Sequence, residues 1–163
     1  THCISSAASD VYKRQLLMKE EKLDEVVCEK LSLLGKDHHE LKKWEKFLNH
    51  LSEPERTTEI ALIGKYVELK DSYISIAESL IHAGAENKTR VNIHWIHSSE
   101  MEGENIKNKL PKMDGIIVAP GFGSRAVEGK ISAVKFAREN QVPFFFFFFG
   151  MQCAVIEFAR HVI

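Results

Sequence analysis

The residues most able to do chemistry lie in two places near the end of the chain. The first is the loop Pro120-Gly121-Phe122-Gly123-Ser124, which follows an apolar stretch. Glycine permits backbone shapes and close approaches that a Cβ would block, so the Gly121 N–H can point toward a developing oxyanion. The second is the step from six phenylalanines into Gly150-Met151-Gln152. A strand that turns sharply into a helix is where α/β folds carry a nucleophile.

A sheet is needed to bring these two places together. From Glu59 onward, four apolar stretches that suit strands alternate with four amphipathic stretches that suit helices. The predicted strands are Ile60–Ile63, Arg90–His97, Gly115–Ala119 and Val142–Phe149. This order predicts an α/β fold with a mostly parallel sheet, right-handed crossovers and helices on both faces. In such a sheet, ligands bind at the carboxyl ends of the strands.

The first third of the chain is predicted to be mainly helical. Apolar residues in 16–34 recur at spacings of three and four, which predicts one amphipathic helix that ends at Gly35. A second helix is predicted over 40–51, and Pro54 ends it. Residues 1–15 have no helix or strand period, so we expect a foreign or disordered segment there. Alternatively, they are a divergent strand end.

Composition argues against several classes of protein. The 163 residues are 44% hydrophobic and have a formal net charge of −1, which indicates an ordinary globular domain rather than a nucleic-acid-binding one. The longest apolar run, Val142–Phe149, is much shorter than the ~18 residues that cross a bilayer. Three cysteines without CxxC spacing argue against a disulfide framework or a zinc site. We therefore expect no nucleic-acid, membrane or metal partner.

Three motifs resemble the glutaminase domain of CTP synthase. Residues 64–69 read G-K-Y-V-E-L, which is one signature of that family. Residues 120–130 match P-G-F-G-x-R-x-x-E-G-K, and 150–157 match G-M-Q-x-A-V-I-E. The resemblance covers about 16–163 and implies a class I glutamine amidotransferase fold, which is flavodoxin-like, preceded by a helical linker.

The resemblance also implies an activity. In that family a synthetase domain phosphorylates UTP with ATP and Mg²⁺, and a glutaminase domain hydrolyses glutamine and passes on ammonia to make CTP. Residues 16–56 would be the helical end of the synthetase domain and the linker, and 57–163 a truncated first half of the glutaminase domain. The implied partners are glutamine, the synthetase domain and further copies in a tetramer. The implied location is the cytoplasm, and no cofactor is implied for this fragment.

Specific site residues follow from the same alignment. The N–H groups of Gly121 and Phe149 would form the oxyanion hole. The glutamine site would be lined by Phe149, Gly150, Met151 and Gln152. The family's cysteine nucleophile is replaced by Phe148, and its histidine and glutamate would lie beyond residue 163. We therefore expect an inactive glutaminase fragment; the alternative is a non-catalytic pseudo-glutaminase module for binding or assembly.

Three further expectations concern side chains near this site. Cys153 is predicted to lie inside the last helix, where it cannot replace the missing thiol. The bulky residues 146–149 are expected to relax the strained turn into ordinary strand. Glu128 and Arg138 are expected on the solvated side of a helix over 127–140.

Overall fold

A parallel four-stranded sheet forms the centre of the protein. A computed structural model describes residues 3–33, 41–101, 105–121 and 127–163. The strands are β1 (Arg56–Gly64), β2 (Thr89–His97), β3 (Gly115–Val118) and β4 (Phe144–Phe146). Their spatial order is β2-β1-β3-β4, and every neighbouring pair is parallel. The predicted α/β architecture with a parallel sheet is confirmed.

Helices precede the sheet and connect its strands. They are α1 (Cys3–Glu20), α2 (Leu23–Lys30), α3 (Lys42–Ser52), α4 (Ile74–Glu86), α5 (Asn105–Lys109), α6 (Val127–Glu139) and α7 (Phe149–His161). A short 3-10 helix, Lys70–Tyr73, leads into α4, and another, Ser98–Glu100, follows β2. Within the described ranges, none of these helices has the length and apolarity to cross a membrane.

The sheet has a hydrophobic core on each face, because successive residues of a strand point to opposite sides. On one face, Ala61 and Ile63 of β1 pack in a cluster with Ala133 of α6. On the other face, Leu62 packs in a cluster with Tyr73, next to the start of α4. The helices therefore cover both faces, as the strand–helix alternation predicts.

The N-terminal segment is helical, which differs from the expectation that residues 1–15 lack regular structure. Tyr12 of α1 makes edge contacts with Trp44 and Phe47 of α3, each at 5.9 Å between ring centroids. Its hydroxyl donates a hydrogen bond to Glu78 of α4. Burial, reinforced by Glu78, raises the pKa of Tyr12 to about 12. A single aromatic residue thus packs this helix against the domain, and local periodicity does not reveal such a contact. That residues 1–15 are a foreign segment stays a prediction.

The single helix predicted over 16–34 is wrong, because the structure has two. Helix α1 ends at Glu20 and α2 begins at Leu23, with Lys22 between them in a left-handed conformation at φ 54°. Lysine does not usually end a helix, and the apolar spacing continues across the break. The sequence pattern therefore does not reveal it. Gly35 lies outside the described residues.

The last strand is shorter than predicted. It is Phe144–Phe146 rather than Val142–Phe149, and α7 begins at Phe149. The Gly150 N–H donates to the Phe147 carbonyl at 2.8 Å, and the Met151 N–H donates to the Phe148 carbonyl at 3.0 Å. These hydrogen bonds turn the chain into the helix before the phenylalanine run has ended.

The β4 edge should make the protein self-associate. Phe145 is 58% exposed on an edge of the described sheet, within an uncharged run of strong strand formers. We expect sedimentation velocity to show a monomer at about 1 µM and larger species at tens of micromolar. Phe145→Lys should reduce this association, whereas Leu17→Lys, at a similarly exposed position on α1, should not. A monodisperse monomer at the higher concentration would contradict the prediction.

Candidate active site

The segment after β3 and the turn between β4 and α7 meet at the carboxyl edge of the sheet. The Phe147 N–H donates to the Val118 carbonyl at 3.3 Å. A Cβ placed on Gly150 would lie 2.9 Å from the same carbonyl oxygen and 3.0 Å from the Phe146 Cβ. A side chain at residue 150 would therefore push α7 away from β3. Glycine at this position allows the two predicted chemical segments to touch.

The turn before α7 keeps a strained backbone at Phe148. Its φ of 43° and ψ of −104° lie outside the regions that residues with a Cβ normally adopt, at a cost of roughly 1–3 kcal/mol. The expectation that this turn relaxes into strand is therefore wrong. The Phe148 side chain is 78% exposed, so its bulk meets little of the fold, and the hydrogen bonds that begin α7 hold the turn. The structure has the backbone of a nucleophile elbow with a phenyl ring at its tip.

Gly121 lies three residues after the end of β3, and its N–H is unused by the described part of the chain. Its φ is +151°, and a Cβ there would lie 3.3 Å from the Lys65 Cβ. Its carbonyl accepts a hydrogen bond from Lys130 Nζ at 3.2 Å, whereas no described residue accepts one from its N–H. Residues 122–126 lie outside the described ranges. The Gly121 N–H can thus serve as a donor to a developing oxyanion.

Lys130 is a buried cation next to both segments. It is 2% exposed, and its Nζ donates to the Ala119 carbonyl at 3.1 Å as well as to Gly121. The same nitrogen lies 5.2 Å from the centroid of the Phe149 ring. Burial lowers the pKa of Lys130, and the nearby charge of Lys65 lowers it further. Lys130 therefore links the segment after β3 to the first residue of α7.

Tyr73 is the second buried polar group at this edge. It is 3% exposed, and its hydroxyl donates to the Pro120 carbonyl at 2.9 Å. The same oxygen accepts from the backbone N–H groups of Lys65 and Tyr66, at 3.1 and 3.2 Å. Sequence reasoning missed both Tyr73 and Lys130. One sequence feature could have indicated Lys130: it is a charged residue between Gly129 and Ile131, on the face of the helix that is buried.

The other predicted site residues divide between core and surface. Gly150 is buried, whereas Met151 is 50% exposed and Gln152 is also exposed. Cys153 is fully buried in α7, and burial raises the pKa of its thiol. Lys130 thus connects Gly121 to Phe149, which adjoins Phe148 and Gly150, while Met151 and Gln152 extend from the first turn of α7. Among the described residues, no group of three or more His, Cys, Asp or Glu could hold a metal ion.

Helices α6 and α7 are joined behind the site by an ion pair. Arg138 Nη2 donates to Glu157 Oε1 at 2.8 Å, and Arg138 Nε donates to Glu157 Oε2 at 3.0 Å. Glu157 is 1% exposed, so the expectation that Arg138 is only a solvated side chain is wrong. The helix period places Arg138 at the surface but cannot show that α7 brings a carboxylate to it. The expected exposed position of Glu128 is confirmed, and it pairs with Arg160 at the surface at 2.8 Å.

Removing the charge of Glu157 should destabilise the fold. Glu157→Gln keeps the volume but weakens a charge-assisted pair in a buried place, so we expect the free energy of unfolding to fall by about 2 kcal/mol. Glu128→Gln is the matched control, because its partner Arg160 is exposed, and it should change stability by less than about 0.5 kcal/mol. Urea denaturation at about 1 µM protein measures both. Equal effects of the two substitutions would show that burial of the pair is unimportant.

The effect of Glu157→Gln should depend on pH. The Arg138 hydrogen bonds lower the pKa of Glu157 in the folded protein. A carboxylate with a lowered pKa stabilises the fold above its unfolded pKa, near 4.3, and loses this contribution as the pH falls through the folded value. The stability gap between wild type and Glu157→Gln should therefore be full at pH 7 and shrink below about pH 4. A gap that widened in acid would contradict this assignment.

Comparison with known proteins decides the family. The family described as glutamine amidotransferase class-I matches residues 68–163, more than half of the chain. The chain belongs to the class-I glutamine amidotransferase family. The segment after β3 and the turn between β4 and α7 both lie inside the matched region.

The relatives that match this chain include CTP synthases. It is 54% identical over 156 residues to the CTP synthase of Cytophaga hutchinsonii, an alignment that covers 96% of this chain and 29% of the relative. It is 48% identical over 161 residues to that of Methanocaldococcus jannaschii, covering 95% of this chain and 30% of the relative. The chain thus spans less than a third of the relatives it matches, and the predicted resemblance to CTP synthase is confirmed.

A solved structure shows the same fold. The chain superposes on the glutaminase domain of Trypanosoma brucei CTPS, solved with bound acivicin, with a TM-score of 0.60 and 39% sequence identity. The match covers 64% of this chain and 41% of the other.

Proposed function

We propose that this chain is part of the glutaminase domain of a CTP synthase, the ligase that converts UTP to CTP with ATP and glutamine-derived ammonia. The observation that carries the proposal is the backbone of Phe148, at φ 43° and ψ −104°, at the start of the helix that Lys130 connects to Gly121. Such a strained turn at a helix start presents a nucleophile to solvent. The similarity to CTP synthases supports glutamine as the substrate, and we propose a cytoplasmic location as part of the same function. ATP and Mg²⁺ would act in the synthetase domain.

The chemistry of such a site follows from its geometry. A thiolate at position 148 attacks the carboxamide carbon of glutamine, and the carbonyl oxygen becomes an oxyanion. Donors at Gly121 and at the N–H of residue 149 stabilise this charge, and one such donor is worth about 10²–10³ in rate. The carbon–nitrogen bond then breaks, ammonia leaves with a proton from a general acid, and water hydrolyses the thioester.

This copy is proposed to be inactive. Phe148 has no nucleophilic atom, so it cannot take the place of the family's cysteine. Cys153 does not replace the thiol, because it is fully buried in α7 and burial raises its pKa. Only a thiolate attacks efficiently. With excess glutamine, the chain should release no ammonia above a buffer blank.

Covalent labelling tests whether the elbow is a glutamine site. In the Phe148→Cys variant we expect acivicin to modify residue 148, because its ring is 78% exposed at the elbow tip. Phe145→Cys is the matched control: this position is 58% exposed but lies on β4, away from the elbow, and should be labelled at least about tenfold more slowly. Excess glutamine should protect position 148 only. Equal labelling of both cysteines, without protection, would refute the proposed function.

A further inference from the structure

Three consecutive carbonyl groups after β3 are held by two side chains from elsewhere in the fold. Lys130 Nζ donates to the carbonyl of Ala119 at 3.1 Å and to that of Gly121 at 3.2 Å. The hydroxyl of Tyr73 donates to the carbonyl between them, that of Pro120, at 2.9 Å. Irregular backbone seldom has every carbonyl of a segment held by buried side chains. This arrangement fixes the orientation of each peptide plane in the segment.

The Tyr73 hydrogen bond sets the direction of the Gly121 N–H. In a planar trans peptide, the carbonyl and the following N–H point in opposite directions. Holding the Pro120 carbonyl therefore aims the Gly121 N–H to the other side. The Tyr73 hydroxyl is itself held, because it accepts from the N–H groups of Lys65 and Tyr66. One donor and two acceptor sites are all in use, so the hydroxyl has no other orientation.

Lys130 holds the peptides on either side of that plane. A Cβ placed on Gly121 would lie 3.6 Å from Lys130 Nζ and 3.6 Å from the Tyr73 hydroxyl, so the glycine is located between the two groups. Lys130 Nζ also lies 5.2 Å from the ring centroid of Phe149, the first residue of α7. The lysine thus connects Gly121 to the start of α7, where the second oxyanion donor would lie.

We propose that Tyr73 and Lys130 are positioning residues for the oxyanion donor of Gly121, an inference that rests on the glutaminase function proposed above. Neither side chain needs to touch glutamine. Each acts through the peptide planes of residues 119–121, so that the donor is aimed before the substrate binds. Such preorganisation matters most in the transition state, where the negative charge develops.

Enzyme kinetics test the proposal in a restored protein. This restored protein, the background for the variants below, carries Phe146→Gly, Phe147→Ile, Phe148→Cys and Phe149→Leu. After residue 163 it continues with the downstream half of the Cytophaga hutchinsonii CTP synthase. In this background Tyr73→Phe and Lys130→Met should each lower kcat per titratable thiol by about 10- to 100-fold, with KM changed by less than about threefold. The matched control is Lys135→Met, at a 40% exposed lysine of α6. This control should stay within about twofold of the background.

A second measurement separates positioning from general damage. Iodoacetamide alkylates a thiol at a saturated carbon and forms no oxyanion, so its rate with the elbow thiol should be the same in Tyr73→Phe, Lys130→Met and the background. Equal losses in alkylation and in turnover would show a merely structural role and overturn the proposal. Turnover within about twofold of the background in both variants would overturn it as well.

The unmodified 163-residue chain provides a test that does not depend on activity. At about 1 µM, hydrogen exchange followed by mass spectrometry should show the Lys65 and Tyr66 amides exchanging at least about tenfold faster in Tyr73→Phe, and unchanged in Tyr66→Phe. Unchanged exchange in Tyr73→Phe would overturn the hydrogen-bond network and the proposal with it. Another result is that exchange changes as expected while the restored background does not hydrolyse glutamine. In that case the hydrogen bonds of Tyr73 are supported, but the proposed function and the oxyanion role both fail.

Discussion

Repair of the elbow in the 163-residue chain is expected to restore reactivity toward a glutamine-like electrophile but not turnover. The repair consists of Phe146→Gly, Phe147→Ile, Phe148→Cys and Phe149→Leu. The backbone at residue 148 already has elbow geometry, so the new thiol is presented without rearrangement. A thiol without an imidazole partner, however, stays mostly protonated at neutral pH and has no acid to protonate the leaving ammonia. Mass spectrometry should show one slow acivicin adduct per chain, and an ammonia assay should show no release.

The same repair in a chain that continues into a CTP synthase downstream half should restore glutaminase activity. The expected gain is several orders of magnitude, because general acid–base catalysis alone contributes about 10²–10⁴ in rate. The control is the extended chain that retains Phe148, which should remain at the blank. Two results would contradict the assignment of Phe148 to the nucleophile position. One is turnover by the short repaired chain, and the other is an extended repaired chain that binds glutamine and stays inert.

Gly129→Ala is expected to destabilise the protein more than its helical position suggests. Alanine in a helix is intrinsically better than glycine by up to about 1 kcal/mol. At this position, however, a Cβ would lie 1.8 Å from the backbone carbonyl oxygen of Ser98, the residue that follows β2. A backbone atom cannot rotate away, so α6 itself must move. Overpacking of this kind outweighs the propensity gain, and we expect a net loss of about 2 kcal/mol or more.

The matched control for this substitution is Gly115→Ala. There the Cβ would lie 3.0 Å from Ile60 Cδ1, the flexible end of a side chain that can move by a few tenths of an ångström. Its cost should be below about 1 kcal/mol. Urea denaturation of both variants at about 1 µM gives the comparison. Equal stability of Gly129→Ala and wild type would mean that α6 does not pack on residue 98 as closely as the structure has it.

Gly129→Ala also connects stability to the site. Lys130 is the next residue, and its ammonium reaches the carbonyls of Ala119 and Gly121 at about hydrogen-bond distance only while α6 stays close to the sheet. A displaced α6 would withdraw Lys130 from that segment. Faster exchange of the Ala119 amide, which donates to the Ile63 carbonyl at 2.9 Å, would report that this segment has loosened.

Local patterns predicted those features whose causes lie within a few residues. Apolar runs indicated β1, β2 and β3, and the three-to-four spacing indicated α3 and α6, because burial of one face follows directly from the period of the backbone. The role of Gly121 as a loop residue was predicted from its type, because a tight loop needs the backbone freedom of glycine. The place of the elbow came from the resemblance of residues 150–157 to a family motif, not from the phenylalanines themselves.

Tertiary structure decided the features that depend on contacts between distant segments. Phe148 keeps a strained backbone because the start of α7 and the close approach of Gly150 to β3 leave no room for a straight strand, whatever the side chain. Tyr12 packs its helix against α3 and α4 because they bring aromatic rings to it. Lys130 is buried because β3 ends in carbonyls that only a donor from another element can satisfy. Each of these depends on a partner far away in sequence, which no local period encodes.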